Sequence, residues 1–413
     1  MKCRELAILS VSCAFITVGA YSQKQPAKPW VDAYEASPAT YNIVMPKNLP
    51  QNLGQYAKGS LFSGTLRYRF GISLGGNQLE VCLSNELGDK PLEIGGASIA
   101  IAGSEMDAAP GSIRRLTFGG KPGVVVPAGA PVYSDPTDLR VQSASDLIVS
   151  VSIKSPVALS PFGGATMMLV DGDAVLEEKL SNPRKVVGRP IATSVLVVPE
   201  RPADLVVALG DSISDGVRAK PSEPHGWVSY IAERLAADKK YKSTGIVTAG
   251  IGGNRVIRSG WGPSALARAD RDVFSLPGVH SVILLEGIND IGFSDTSVPG
   301  DPELKIDANE LIAGYQQLAI SAHAHGLKIL IGTLTPFEGS FYFDAEKEEL
   351  WQTVNAWIRS NKEFDGVIDF DKALRDPAQP KRMNPAFDSG DHLHPNEIGY
   401  KAMADAVDLS NIR

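Results

Sequence analysis

The stretch Leu205-Val206-Val207-Ala208-Leu209-Gly210-Asp211-Ser212-Ile213-Ser214-Asp215-Gly216 decides the fold. Its leading apolar run is the length of a strand buried on both faces, as in a parallel sheet. The run stops at Gly210, which allows a sharp exit, and a hydroxyl residue follows between polar neighbours. Trp227, Ile231 and Leu235 then recur at helical spacing. A strand, a tight turn and a helix in that order deliver a serine side chain to the edge of a sheet. Taken alone, Gly-Asp-Ser is equally a turn leading into a helix cap, so the rest of the chain has to decide.

Downstream the same grammar repeats. Apolar runs at Ile246-Ala249, Val282-Leu285, Ile329-Ile331 and Val367-Phe370 alternate with helical stretches near 309–325, 345–362 and after Pro395-Asn396. Parallel strands need such crossovers. The expectation is an open three-layer α/β/α sheet of flavodoxin type over 203–413, with functional groups at the carboxyl ends of its strands. Upstream, from Leu61 to Val198, short alternating runs are bounded by Gly, Pro, Asn or Asp, and helical period is scarce. That predicts an antiparallel β-sandwich over 61–200. Within it, Thr65-Phe70 and Gln78-Leu83 face each other across Gly75-Gly76-Asn77 and read as a hairpin. Residues 23–60 read as a linker or lead-in strand, and Pro199-Glu200-Arg201-Pro202 as a stiff domain boundary.

Length and charge bound the function. With 413 residues, 43% hydrophobic and 21% charged, the chain can bury more than one domain core. A formal net charge of -7 gives no reason to expect nucleic acid or an anionic membrane surface as partner. Lys2 and Arg4 precede an apolar stretch, Leu6 to Ala20, that is short for a membrane span, which needs roughly 20 apolar residues. Residues 1–22 therefore read as a signal peptide cleaved between Ala20 and Gln23, for a secreted or periplasmic protein without stable membrane insertion. Ser10-Val11-Ser12 ahead of Cys13 lacks the leucine of a lipoprotein box. Of the three cysteines, Cys3 and Cys13 leave with that segment; Cys82 between Val81 and Leu83 is a strand hydrophobe.

The predicted strand ends carry chemistry. The first gives Gly210-Asp211-Ser212, the second Gly250-Ile251-Gly252-Gly253-Asn254-Arg255, the third Gly287-Ile288-Asn289-Asp290, and a loop near the C-terminus Asp391-His392-Leu393-His394. A serine hydroxyl becomes a nucleophile when an imidazole takes its proton, and the imidazole needs a carboxylate to fix its tautomer. Asp391 and His394 can supply both from one turn. The backbone N–H groups of Ser212 and Gly253 and the amide of Asn289 are candidate donors to a tetrahedral oxyanion. Asp211, Asn254, Arg255 and Asp290 stand beside these groups as candidate substrate contacts. This is a parts list for acyl transfer.

These blocks, in this order, resemble the GDSL, or SGNH, hydrolase superfamily over about Leu205 to Ala406. The resemblance implies Ser212 as nucleophile, Gly253 and Asn289 as oxyanion-hole residues, Asp391 and His394 as acid and base, and no cofactor or metal. Isoleucine follows Ser212 where the name motif has leucine, and His392 stands where many members carry a small residue. Ser84-Asn85-Glu86-Leu87-Gly88-Asp89-Lys90-Pro91-Leu92 and Gly252-Gly253-Asn254-Arg255 further resemble a secreted bacterial subgroup with a β-rich N-terminal domain. Some members of that subgroup are taken for carbohydrate esterases associated with xylan degradation. The implied activity is a serine esterase removing short acyl groups, acetyl first, from a glycan or small-molecule ester. An arylesterase or lysophospholipase-type lipase, a catalytically silent glycan-binding relative and an adhesive surface protein are the alternatives.

Other signals have plainer readings. His323 and His325, two apart on a helix, point to different faces and make no metal pair. His225 and Trp227 can line a pocket, although a tryptophan opening an amphipathic helix belongs to a core. The Gly250-Gly253 loop lacks the Lys-Ser/Thr of a phosphate loop. The acidic pairs, including Asp369 and Asp371 at a strand end, are of a kind glycoside hydrolysis uses, and nothing else in the chain supports that reading. All groups needed for bond cleavage lie in Ala203 to Arg413; oligomeric state is left open.

Overall fold

The computed structural model describes residues 30–40, 61–160, 165–219, 226–294 and 305–413. The signal peptide read at 1–22, most of the stretch 23–60, and His225 lie outside the described residues.

The N-terminal half is built from strands β1 (Val31–Glu35), β2 (Leu61–Ile72), β3 (Gly76–Ser84), β4 (Leu92–Ile101), β5 (Arg114–Leu116), β6 (Val124–Val126), β7 (Pro131–Tyr133), β8 (Thr137–Val141), β9 (Ser145–Ala158), β10 (Ala165–Val170), β11 (Arg184–Gly188) and β12 (Ala192–Val197). They form two antiparallel sheets. One runs β1-β12-β3-β7 with β8 also on β3; the other runs β11-β10-β2-β9-β4-β5 with β6 also on β4. Apolar residues alternate into the space between the sheets, where Tyr34 of β1 lies 4.2 Å from Phe70 of β2, centroid to centroid. The Tyr68 hydroxyl of β2 donates to the Ala192 carbonyl of β12 at 2.6 Å.

One expectation changes. The runs Thr65-Phe70 and Gln78-Leu83 are strands but not a hairpin: β2 pairs with β9 and β10, while β3 pairs with β12, β7 and β8. The turn between them is a corner from one sheet to the other. Leu74 in that turn is buried and packs against Gly245 of the second half, whereas a hairpin tip would stand in solvent. Alternation identifies a strand by its two faces and says nothing of its partner. The stretch 23–60, read as a linker or lead-in strand, contains such a strand. Val31–Glu35 within it is a paired strand of the first sheet, bonded to β12 and almost wholly buried.

The C-terminal half alternates as expected: β13 (Asp204–Gly210), α1 (Ser212–Asp215), α2 (Gly226–Ala237), β14 (Thr244–Gly250), α3 (Ala265–Ala269), β15 (Val279–Leu285), α4 (Ile288–Gly292), α5 (Ala308–Ala324), β16 (Lys328–Gly332), α6 (Ala345–Ser360), β17 (Gly366–Ile368), α7 (Phe370–Leu374) and α8 (Glu397–Ala406). The strands are parallel in the order β14-β13-β15-β16-β17. Leu205 through Leu209 are completely buried, as a strand covered on both faces requires. α2 packs on α8 and α8 on α7, while α5 packs on α6 and α3. Helix ends follow their capping residues: Asp307 and Glu310 form a capping box at α5, and Asn396 accepts from the N–H groups of Ile398 and Gly399 at α8. Ile398, in the first turn of α8, is exposed; Tyr400, Met403 and Val407 face the core. Strand order reverses around β13, so its carboxyl end opens a crevice between β14 and β15, the place where open α/β sheets bind ligands.

The two halves share buried polar contacts. β1 lies along β14, the Asp32 N–H donates to the Pro277 carbonyl at 3.1 Å, and Arg189, between β11 and β12, reaches across. Its guanidinium is 2.8 Å from Asp215 at the end of α1 and donates to the Gly250 carbonyl at the end of β14. Both partners of that ion pair are buried. Removing one partner of a buried pair strands the other charge, at a cost of about 3–5 kcal/mol, whereas replacing both by apolar side chains is close to neutral. Arg189→Met is therefore expected to lower the urea midpoint strongly, with Arg189→Met/Asp215→Leu recovering most of the loss. An unchanged midpoint in the single variant would contradict a structural role for this link.

Candidate active site

The serine is placed by local geometry. β13 ends at Gly210, and Asp211 follows in extended conformation as the N-cap of α1, its side chain accepting from the Ile213 N–H at 2.9 Å. Ser212 is thus the first residue of a helix, and its N–H is among those that helical bonding leaves over. Its Oγ lies 2.9 Å from Nε2 of His394. Nδ1 of His394 lies 2.8 Å from Oδ2 of Asp391. The other oxygen of Asp391 accepts from the backbone N–H groups of Leu393 and His394 at 3.0 and 2.8 Å. Acid and base are therefore one rigid turn.

The electrostatics follow from those bonds. Burial by itself would raise the Asp391 carboxyl, but the His394 ring and the two backbone N–H groups outweigh it and hold the group well below the usual carboxylate range. An ionised carboxylate only accepts, so Nδ1 carries the imidazole proton and Nε2 offers its lone pair to the Ser212 hydroxyl. Arg218, 3.2 Å from Asp391, is a second charged neighbour that the sequence did not single out. His392, the rival histidine, is 53% exposed and pairs with Asp388 at 2.5 Å. It takes no part in the relay.

Two further candidates flank the serine. Gly253 has φ +71°, and a Cβ there would lie 1.9 Å from Cε3 of Trp261, so only glycine lets this loop pass. Asn289, in the first turn of α4, donates through Nδ2 to the Asn254 carbonyl at 2.9 Å, and its Oδ1 accepts from the Tyr342 hydroxyl at 2.7 Å. One amide hydrogen remains beyond these two bonds. A relay of hydroxyl, imidazole and carboxylate beside fixed N–H donors can attack a carbonyl and hold the negative oxygen that results.

Beneath the site lies Arg268 of α3, fully buried. It donates to the carbonyls of Gly210 at 2.9 Å and Ala249 at 2.7 Å and to Oδ1 of Asn254 at 2.9 Å. Its charge faces Asp272 at 3.2 Å and Glu286 at 3.7 Å, and Ser37 of the N-terminal half at 3.3 Å. The sequence did carry a signal for it: Ala265, Arg268 and Ala269 share a helical face. For Tyr342, Arg218 and Arg189 no local pattern exists.

The four candidate substrate contacts are instead buried supports. Asp211 caps α1, Asn254 bonds Pro263 and Arg268, Arg255 donates to the Ser259 carbonyl, and Asp290 accepts from the N–H groups of Val256 and Ile257. Each is occupied in holding its own loop, because a buried polar group without a partner is costly. Elsewhere, Trp227 is core, Asp369 and Asp371 both bind Arg359, and burial pushes the Cys82 thiol up to about 12. His323 pairs with Asp365, and His325 bonds the Ser321 carbonyl. Among the described residues no cluster of His, Cys, Asp and Glu could hold a metal ion, and no helix is long and apolar enough to cross a membrane.

Residues 208–402 match the GDSL-like Lipase/Acylhydrolase family. No curated protein matches the chain. Among solved structures, Axe2, an acetylxylan esterase from Geobacillus stearothermophilus, is 24% identical, covering 49% of this chain and 91% of its own, with a TM-score of 0.38. The acetyl xylan esterase AlAXEase is 22% identical over 49% of this chain and 96% of its own, with a TM-score of 0.37. A GDSL-like lipase from Bacteroides thetaiotaomicron is 18% identical over 50% and 87%, with a TM-score of 0.36.

The buried carboxylates set a pH dependence. Burial, with Asp290 adding repulsion, raises Asp211 to about 7; burial also raises Asp290 to about 6 and Glu286 well above its ordinary range. An unfolded aspartate ionises near pH ~3.9, so between about pH 4 and 7 the folded chain binds more protons than the unfolded one. Stability therefore falls as pH rises through that window. Asp211→Asn, which keeps an acceptor for the Ile213 N–H, is expected to flatten the fall in urea midpoint between pH 5 and 7. An identical slope in the variant would show that Asp211 is not the titrating group.

Proposed function

Starting from residues 208–402 as a domain of the GDSL-like lipase/acylhydrolase family, and hence from a serine ester hydrolase, we propose that this chain removes short acyl groups, acetyl first, from a carbohydrate or similar small ester. The observation that carries the mechanism is the 2.9 Å and 2.8 Å relay from Ser212 through His394 to Asp391.

In this reading Ser212 Oγ attacks the acyl carbonyl while Nε2 of His394 takes its proton. The carbonyl oxygen becomes an alkoxide received by the N–H groups of Ser212 and Gly253 and the free amide hydrogen of Asn289. Collapse breaks the bond to the alcohol oxygen, which takes the proton from His394 and leaves. Water, deprotonated by the same imidazole, then attacks the acyl-serine; the acid is released and Ser212 regains its proton. Asp391 stays ionised throughout and stabilises the imidazolium.

The preference for short acyl groups rests on the aromatic residues packed against Gly253. Trp261, against Gly253, packs edge-on to Phe293 at 5.4 Å, and Phe293 packs edge-on to Tyr342 at 5.1 Å. We read this interlocked aromatic row as the wall of a shallow acyl site. The glycan alcohol rests on the family resemblance of the N-terminal segments, and a secreted or periplasmic location on the export signal read at 1–22. The β-rich half, taken as a sandwich module, supports the site through Arg189 and Ser37 and bears on substrate choice.

On a short aryl acetate, Ser212→Ala is expected to abolish turnover with the fold intact, His394→Ala to be nearly as damaging, and His392→Ala to stay close to wild type. Near-native turnover by folded Ser212→Ala would sink the mechanism. Across a series of aryl esters the rate is expected to fall with acyl length, and acetylated xylo-oligosaccharides to be cleaved. A rate that climbs steadily with chain length would point to a lipase instead.

A further inference from the structure

Asn289 poses a geometric problem that its own sequence block does not solve. The two ends of a carboxamide have nearly the same shape and opposite polarity: rotated by half a turn, the group would present a carbonyl to the developing oxyanion and repel it. On one side the Asn254 carbonyl accepts from Nδ2 at 2.9 Å, which holds a single hydrogen. A second fixed point is needed to set the plane of the amide. It is the Tyr342 hydroxyl, 2.7 Å from Oδ1.

We propose that Tyr342 is a positioning residue for the oxyanion-binding amide, fixing the plane of Asn289 and polarising it so that its remaining N–H is aimed at the reacting carbonyl oxygen. The inference rests on the reading of Asn289 as an oxyanion donor. Several observations give the phenol this role. Both side chains are buried, so water does not substitute for either bond. The ring is locked: a Cβ on Gly292, on the same short helix as Asn289, would lie 2.4 Å from Cδ2 of Tyr342, so the ring rests against bare backbone. Phe293 meets it edge-on at 5.1 Å and Phe341 lies against it at 4.3 Å. Helix α4 therefore carries both the amide and the seat for the group that orients it. Burial also pushes the phenol well above its ordinary range, so it remains a donor at any working pH. A hydrogen bond into the amide oxygen draws electron density from the nitrogen and makes its N–H a stronger donor.

The test is a double-mutant cycle on hydrolysis of a short aryl acetate by the full mature chain, with kcat and KM separated and thermal midpoints recorded. Tyr342→Phe keeps the ring and its packing and removes only the hydroxyl. It is expected to lower kcat about tenfold with KM little changed, and Asn289→Ala to lower kcat about 10²- to 10³-fold. In the double variant, loss of the phenol is expected to add nothing to the loss from Asn289→Ala, because the group it positions is gone. Should Tyr342→Phe lower kcat by the same factor in both backgrounds, its effect would be general to the fold and the proposal would be overturned. Wild-type kcat in Tyr342→Phe overturns it as well. Wild-type kcat in Asn289→Ala overturns the oxyanion assignment beneath it, leaving the Ser212 result to judge the esterase reading separately.

Discussion

The guanidinium of Arg268 is the constraint on which the site depends. Three neighbouring strands of the parallel sheet end where functional groups begin, and at such ends the carbonyls have no further strand partner. Arg268 takes those of Gly210 and Ala249, and faces Glu286 just past the third. Its Nε holds Asn254, whose carbonyl in turn holds the Asn289 amide. The nucleophile turn, the glycine loop and the amide helix are thus registered against one planar, many-donor side chain. The carboxylates around it, Asp211, Asp272, Glu286 and Asp290, offset its charge, and the burial that raises three of them keeps the floor of the site from accumulating negative charge.

What was legible in the sequence was what is local. Leu205 to Leu209 read as a doubly covered strand, and Asp391 and His394, with two residues between them, can act together from one turn. Asn396 marked the start of the last helix by chemistry that operates within a few residues. The names of the relay residues came from the family resemblance and the preference for His394 over His392 from spacing; the structure brings Ser212, His394 and Asp391 within hydrogen-bond distance of one another.

What was illegible was partnership across the chain. Thr65 to Phe70 and Gln78 to Leu83 announce themselves as strands through alternation, yet each pairs with residues far along the chain and not with the other. Val31 to Glu35 fell in a stretch read as a linker or lead-in strand, and the sequence did not name β12 as the partner that makes it a strand. Tyr342 is one of three aromatic residues in succession; only its neighbour Asn289, 53 residues away, makes it different from Phe341 and Phe343. The candidate substrate contacts Asp211, Asn254, Arg255 and Asp290 were read as facing a ligand; the structure shows them buried and bonded within the loops that carry the relay, a partnership no local pattern announces.

The placement of β1 has a consequence for how the chain reaches this state. Asp32 is bonded to Ser194, 162 residues on, and Ser37 to Arg268, 231 residues on. A chain made from its N-terminus emerges with its first strand unable to find either partner until roughly half of it has followed. Throughout that interval an apolar strand edge stands open to pairing with other chains. Contacts of such long separation also slow the search for the native topology. Refolding from denaturant should thus be slow and sensitive to protein concentration, and crowding by identical nascent chains is the condition under which this molecule is most exposed to misassembly.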